Sequence, residues 1–367
     1  MKESELENQN TPTFIENTAE KSYHEQTYID NTLRLREILK TLPSFAKDYF
    51  RAIDTTTTAK TRIYYAYDIR IFFQFLLDEN PAFKDHAMTD FTVDVLDQIK
   101  AVDLEEYQEY LKLYQSGDKT ETNGERGLKR KISALRSFYA YYYKREMIHT
   151  NPTVLIDVPK IHEKSIIRLD TDEVAMLLDY IEHCGDTLTG QKRVFYEKTK
   201  ERDLAIVTLL LGTGIRVSEC VGLDIEDVDF KNNGIKVTRK GGNEMVVYFG
   251  PEVEKALKRY LEVREGITPL AGHEHALFYS AQRKRIGVQA VENMVKKYSR
   301  QITTTKKITP HKLRSTYGTA LYQETGDIYL VADVLGHKDV NTTKKHYAAL
   351  DDARRRQAAT AVKLREE

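Results

Sequence analysis

The segment LGHKDVNTTKKHYAAL, residues 335–350, brings together His337, His346 and Tyr347 with several lysines. LGH closes a helix through Gly336 and presents His337, while Asn341 or Thr342 can cap the next helix, with Tyr347 in its second turn. The tyrosine is one of 23, so its type alone leaves open whether it reacts or fills a core. Three other motifs suit an anion. In TGIRVSE, 213–219, a glycine turn opens a helix and points backbone N–H groups outward. Arg216 there can fork onto phosphate oxygens. Glu219, three residues on and on the same helical face, can fix it. Lys240 sits in RKGGN, where its ammonium can donate a proton to a leaving oxygen. In HKLRSTYGT, 311–319, His311 and Arg314 share a helical face behind Pro310, and a second arginine there would complete a phosphate clamp. Each motif also has a plain reading: a turn with a surface ion pair, a solvated lysine, a solvated His–Arg pair, a core tyrosine.

Helices and a hairpin must carry these residues. Apolar residues recur mostly three or four apart, so the chain reads as mainly helical. Residues 32–54 predict a helix pair broken near Pro43, and 58–80 a helix ending at Asn80-Pro81. A loop and a helix follow over 92–115, a polar loop over 116–127 and a long helix over 128–147. Residues 148–164 contain Pro152 and Pro159 and have no helical period, which predicts an extended linker. Beyond it, a helix starts at Thr171, and two helices within 201–230 meet at Gly212-Thr213-Gly214. Two alternating runs flank KGGN within 233–250, a hairpin pattern. Pro251 opens another helix. The expected fold is mainly α in two domains, the second mostly helical with a small antiparallel sheet.

The last long helix before the linker is basic and aromatic. Arg126, Lys129, Arg130, Lys131, Arg136, Lys144 and Arg145 lie near one acid, Glu125, with Tyr139, Tyr141, Tyr142 and Tyr143 among them. Such a face can neutralise phosphates; it can equally be a solvated face over core aromatics. Lys60 and Arg62, early in the 58–80 helix, form a weaker second candidate. The whole chain gives no bulk pull toward nucleic acid, since 56 basic residues balance 56 acidic ones. No apolar run approaches the length of a spanning helix, so no membrane partner is expected. The first 30 residues are polar, without the apolar stretch of a signal peptide, and read as a flexible arm. Two cysteines, Cys184 and Cys220, fit a reducing cytoplasm. No Cys/His cluster has zinc-ligand spacing, and neither metal nor cofactor is expected.

Taken in order, RDLAIVTLLLGTGIRVSE, KGGNEMVVYFG, HKLRSTYGT and LGHKDVNTTKKHYA resemble the catalytic half of the tyrosine recombinases, the phage-integrase family. The resemblance covers about residues 165–350, and four motifs in family order are far more specific than any one. The helices before the linker look like that family's core-binding domain. The two-domain layout and TTKKHYAALDDARRR resemble the Xer-type chromosome-dimer resolvases, most of all the branch in which one protein acts alone. One departure concerns register: ten positions separate His337 from Tyr347, where many members have nine.

The resemblance implies a flexible arm over 1–30, a DNA-clamping domain over 31–150, a linker over 151–165, a catalytic domain over 166–350 and a tail helix over 351–367 that docks on a neighbouring protomer. It implies strand cleavage and rejoining through a 3′-phosphotyrosyl intermediate, without metal or ATP. Tyr347 would be the nucleophile and Arg216 and Arg314 the phosphate clamp. Lys240 would be the general acid, His311 the base or proton shuttle and His337 a hydrogen-bond donor, with Glu219 behind Arg216. Lys60, Arg62, Arg126, Lys129, Arg130, Lys131 and Arg136 would hold DNA. The implied partner is double-stranded DNA with a palindromic-like site. The implied assembly is a homotetramer on two sites, a monomer or weak oligomer when free, and a DNA translocase is allowed as regulator. An integrase of a mobile element shares most of these features. A relaxing topoisomerase shares the chemistry, and a non-catalytic DNA-binding protein on the same fold would lack it.

Overall fold

A computed structural model describes residues 22–162, 167–239, 242–337 and 340. The chain divides into two compact units, Met1–Glu163 and Lys164–Glu367.

The first unit is a helical bundle with one small hairpin. Helix α1, Tyr23–Lys40, starts at Ser22, whose hydroxyl accepts from the Glu25 amide while the Glu25 carboxylate accepts from the Ser22 amide. The helix therefore takes in residues 23–30, expected as part of a flexible arm. Only Leu35 and Ile38 of α1 are fully buried, so its first turns carry no apolar stripe to read. Then come α2, Ala46–Ala52; α3, Ala59–Glu79; α4, Val95–Gln98; and α5, Ala101–Tyr110. The 116–127 segment, expected as loop, contributes to a hairpin instead: β1, Leu113–Ser116, pairs antiparallel with β2, Lys119–Thr122. Gly117 at φ 59° makes its two-residue turn. Both strands lie on the surface, so no buried face imposes the alternation that betrays a strand.

Helix α6, Glu125–Tyr143, closes this unit. Leu128, Ile132, Leu135, Phe138, Tyr139 and Tyr142 recur along one face and are buried. They meet Tyr49, Phe72, Phe73 and Phe45 in a largely aromatic core, with several edge-to-face pairs at ring separations of 5.0–6.2 Å. Tyr139 and Tyr142 are thus core residues, while Tyr143 is exposed. The expected linker also begins later than its prolines suggested: Pro152, Thr153 and Ile156 are buried against this unit. Arg136 holds that stretch by donating to the carbonyls of Thr153 (3.0 Å) and Ile156 (2.7 Å).

In the second unit α7, Thr171–His183, starts at the expected threonine, behind Asp170, whose amide donates to the Glu173 carboxylate at 2.8 Å. Helix α8, Gly190–Thr213, begins eleven residues ahead of the expected 201. From Asp203 to Leu210 every residue of α8 is buried, as a central helix covered on all sides requires. Helices α7, α10 and α12 pack on it. After α9, Val217–Gly222, come β3 (Val228–Asp229), β4 (Gly234–Thr238) and β5 (Glu244–Tyr248). They form an antiparallel sheet in that order, with Gly234 opposite Tyr248 and Thr238 opposite Glu244. The hairpin read around KGGN is therefore present. Helix α10, Pro251–Glu265, starts on its proline; α11, Val288–Ile302, α12, Pro310–Thr325, and α13, Ile328–Leu335, complete the described elements.

Candidate active site

Three chain reversals in the second unit converge. Helix α8 ends at Gly214, φ 63°, a left-handed residue whose place a side chain would contest with the Tyr317 ring. The chain turns through buried Ile215 and re-enters a helix with Arg216 as the N-cap of α9. Glu219 then grips Arg216 twice. Its carboxylate accepts from the Arg216 amide (2.8 Å) and from Arg216 Nη1 (2.7 Å). The Glu219 side chain is 3% exposed and that of Arg216 34%, so the acid is buried and the guanidinium partly open. This is the pairing that the three-residue spacing suggested. Beneath it, burial and, to a lesser degree, Glu219 push the Cys220 thiol up to about 12, which keeps it protonated and poorly nucleophilic.

Helix α12 supplies the second arginine. Pro310 occupies its first position, His311 is exposed in the first turn, and Arg314 one turn later is 4% exposed. Arg314 Nη1 donates to the Gly214 carbonyl and Nη2 to the Leu335 carbonyl. The third reversal is the end of α13. Gly336 adopts φ 61°, and the His337 amide donates back to Ala332 O at 2.9 Å, a left-handed helix stop. The next carbonyl along, that of Gly336, accepts from Arg216 Nη2 at 3.2 Å. Arg216, Glu219, Arg314 and the His337 backbone are thereby drawn together around one turn, although up to 121 positions part them in sequence. Lys240, Tyr347 and the 351–367 tail lie outside the described residues.

Two fixed guanidiniums beside a glycine turn can bind the two non-bridging oxygens of a phosphate and stabilise charge that builds there. A family model described as "Phage integrase family" matches residues 167–354, the segment that holds all of these groups. The chain belongs to the phage integrase family. It is 33% identical over 346 residues to a tyrosine recombinase XerC of Caldanaerobacter subterraneus subsp. tengcongensis, covering 91% of each chain. It is 31% identical over 338 residues to a tyrosine recombinase XerS of Lactococcus lactis subsp. lactis, covering 86% of this chain and 93% of the relative. Among solved structures, an integrase of transposon Tn1549 in complex with circular intermediate DNA aligns with a TM-score of 0.60 at 21% identity, over 84% of this chain and 97% of that one. The protein is a tyrosine-type site-specific recombinase.

The seven cations of the first unit expected to hold DNA differ in exposure and in their partners within the unit. Lys60, Arg126 and Lys129 are exposed. Arg62 is 7% exposed and ion-paired with Asp54, and Lys131 is 6% exposed, donating to Asn123 Oδ1 at 2.9 Å. Arg130 pairs with buried Asp68 on α3 and lies over the Tyr64 ring, and Arg136 is bound to backbone carbonyls. Four of the seven thus have partners inside the unit, with the Arg130 side chain still 44% exposed, and charge counting along one helix cannot see Asp54, Asp68 or the carbonyls facing it. Burial raises the Asp68 carboxyl to about 6 against the pull of Arg130 and Lys131.

One residue of the site was missed. Arg239, at the end of β4, reaches the same α13 terminus, donating to Val334 O at 2.7 Å. Its only sequence signal is its place beside Lys240. Among the described residues no group of His, Cys, Asp and Glu side chains is arranged to hold a metal ion. No described helix is long and apolar enough to cross a membrane.

Proposed function

We propose that this recombinase cuts and rejoins DNA by transesterification at Tyr347, and that it acts as a Xer-type resolvase of chromosome dimers at a terminus-located site. The observation that carries the chemistry is the convergence of Arg216 and Arg314 on one turn, from α9 and α12. The phenolic oxygen of Tyr347 attacks phosphorus, a 3′-phosphotyrosyl ester forms, and the 5′-oxygen leaves. The phenolic proton passes to His311, Lys240 protonates the departing 5′-oxygen, and His337 donates a hydrogen bond to the phosphate. Because one ester replaces another, rejoining needs no ATP. Arg216 and Arg314 neutralise charge on the non-bridging oxygens, and Glu219 keeps Arg216 in register. An arginine clamp supplies the charge that metal ions supply in other phosphoryl-transfer enzymes.

The Xer role is supported by relatives of that name at 31–33% identity along most of the chain. The substrate is double-stranded DNA with a palindromic-like site, held by a homotetramer on two sites in the cytoplasm. Residues 166–350 form the catalytic domain, and the 351–367 tail docks on a neighbour. The test is a nicked suicide duplex carrying the cognate site: a covalent protein–DNA adduct is expected. Its absence would leave a DNA-binding protein without catalysis. Relaxation of plasmids lacking the site would point to a topoisomerase. A gene and site inside a mobile element, rather than near the replication terminus, would point to an integrase.

A further inference from the structure

Four consecutive backbone carbonyls at the end of α13 are served by three guanidiniums. Arg239 Nη2 donates to Val334 O at 2.7 Å and Nη1 reaches Asp333 O at 3.5 Å. Arg314 takes Leu335 O, and Arg216 takes Gly336 O at 3.2 Å. The last carbonyls of a helix lack intrahelical donors and carry its negative end, so cations belong there. The proposed chemistry gives work to Arg216 and Arg314 and none to Arg239.

We propose that Arg239 is a positioning residue for the transesterification: by gripping Asp333 and Val334 it fixes the Leu335 and Gly336 carbonyls, and through them the aim of Arg314 and Arg216 at the phosphate. The inference rests on the assignment of those two arginines to the scissile phosphate.

Gly336 shows how close the grip is. A Cβ there would run into the Arg239 guanidinium, so the position needs glycine for that approach as well as for its positive φ. The arrangement also carries a local cost. Burial, and secondarily neighbouring Arg216, pull the proton affinity of Arg239 below its ordinary value, while Glu219 and Asp333 act in the other direction. Its Nε is buried with no acceptor among the described residues. An unpaired buried donor beside a like charge is disfavoured by folding alone, and such costs persist where a site uses the geometry. Only a planar fork can span two successive carbonyls, so lysine is a poor replacement.

The test uses full-length Arg239→Ala and Arg239→Lys with a nicked suicide duplex at saturating protein, reading single-turnover cleavage and duplex affinity separately. Misaimed groups of this kind cost on the order of 100-fold in rate. Arg239→Ala is expected to cleave that much more slowly with affinity unchanged within about threefold, and Arg239→Lys to fall between. If the alanine variant fails to fold, the lysine variant carries the same test, with cleavage roughly tenfold slower expected. A duplex with a neutral methylphosphonate at the scissile position lowers the demand for charge neutralisation. It is expected to restore Arg314→Ala and not Arg239→Ala. Gly336→Ala, harmful in the parent, should cost less in the Arg239→Ala background, where the collision is gone and only the strain of the positive φ remains. Normal cleavage by the Arg239 variants, beside slow cleavage by Arg314→Ala, would overturn the positioning role alone. Equal methylphosphonate rescue of both would overturn it in favour of a direct phosphate contact. Normal cleavage by Arg314→Ala would overturn the site assignment and this inference with it.

Discussion

The two units hold basic side chains for different ends. In the first, the Arg130–Lys131 pair surrounds Asp68, and Arg62 meets Asp54, so cation and anion largely cancel. In the second, Arg239 and Arg314 direct Nη groups at backbone carbonyls, and Arg216 divides its donors between Glu219 and a carbonyl. A carboxylate partner neutralises a guanidinium, whereas a carbonyl orients it and leaves its formal charge in place. Burial of a basic residue is therefore no guide to its task; the chemistry of its acceptor is.

The largest expected effect removes the nucleophile. Tyr347→Phe should abolish covalent capture of a suicide duplex while leaving DNA affinity near that of the parent. Persistent adducts, seen as slow-migrating bands on a denaturing gel, would assign the attack elsewhere. Arg314→Lys and Arg216→Lys come next. A point charge cannot fork onto two oxygens, and each variant should cleave about 10²–10³-fold more slowly. Near-normal rates would remove that residue from the clamp and weaken the contrast between carbonyl-held and carboxylate-held cations.

Asp68 tests the other side of that contrast through pH. Its folded carboxyl sits near 6, above its ordinary value of 3.8, with burial as the main cause. The folded state therefore binds this proton more tightly than the unfolded chain does. The resulting stability is fully present below about pH 4 and is lost as pH rises through about 6, on the order of 3 kcal/mol in all. Denaturant titrations of the parent and Asp68→Asn across this range should differ in slope, the parent losing more stability with rising pH. Parallel curves would mean that Asp68 is ionised throughout. The smallest effect concerns the exposed cations. Lys60→Gln, Arg126→Gln and Lys129→Gln should each weaken DNA binding a few-fold and lower the salt dependence by about one counterion. An equal loss of salt dependence in Lys131→Gln would place that buried lysine on the DNA instead.

What could be read from the sequence followed the range of the cause. The buried centre of α8, the KGGN hairpin and the spacing of Arg216 with Glu219 are set by neighbours a few residues apart, and each is visible as a pattern. The β1–β2 hairpin and the first turns of α1 bury almost nothing, so they write no periodicity. The fates of Arg62, Lys131 and Arg136 depend on acids and carbonyls brought in by other segments, and Arg239 depends on a helix end 94 or more positions away. Motif order pointed to Arg216 and Arg314, but only the fold shows what their nitrogens hold.

Arg314 bridges the end of α8 at Gly214 and the end of α13 at Leu335 with one rigid plane of atoms. It works as a gauge block between two helix ends: neither can shift against the other by more than hydrogen-bond tolerance without one contact opening. Any DNA-driven displacement of the α13 end must then register at the guanidinium itself, which makes a nitrogen-labelled arginine at position 314 a built-in reporter of engagement.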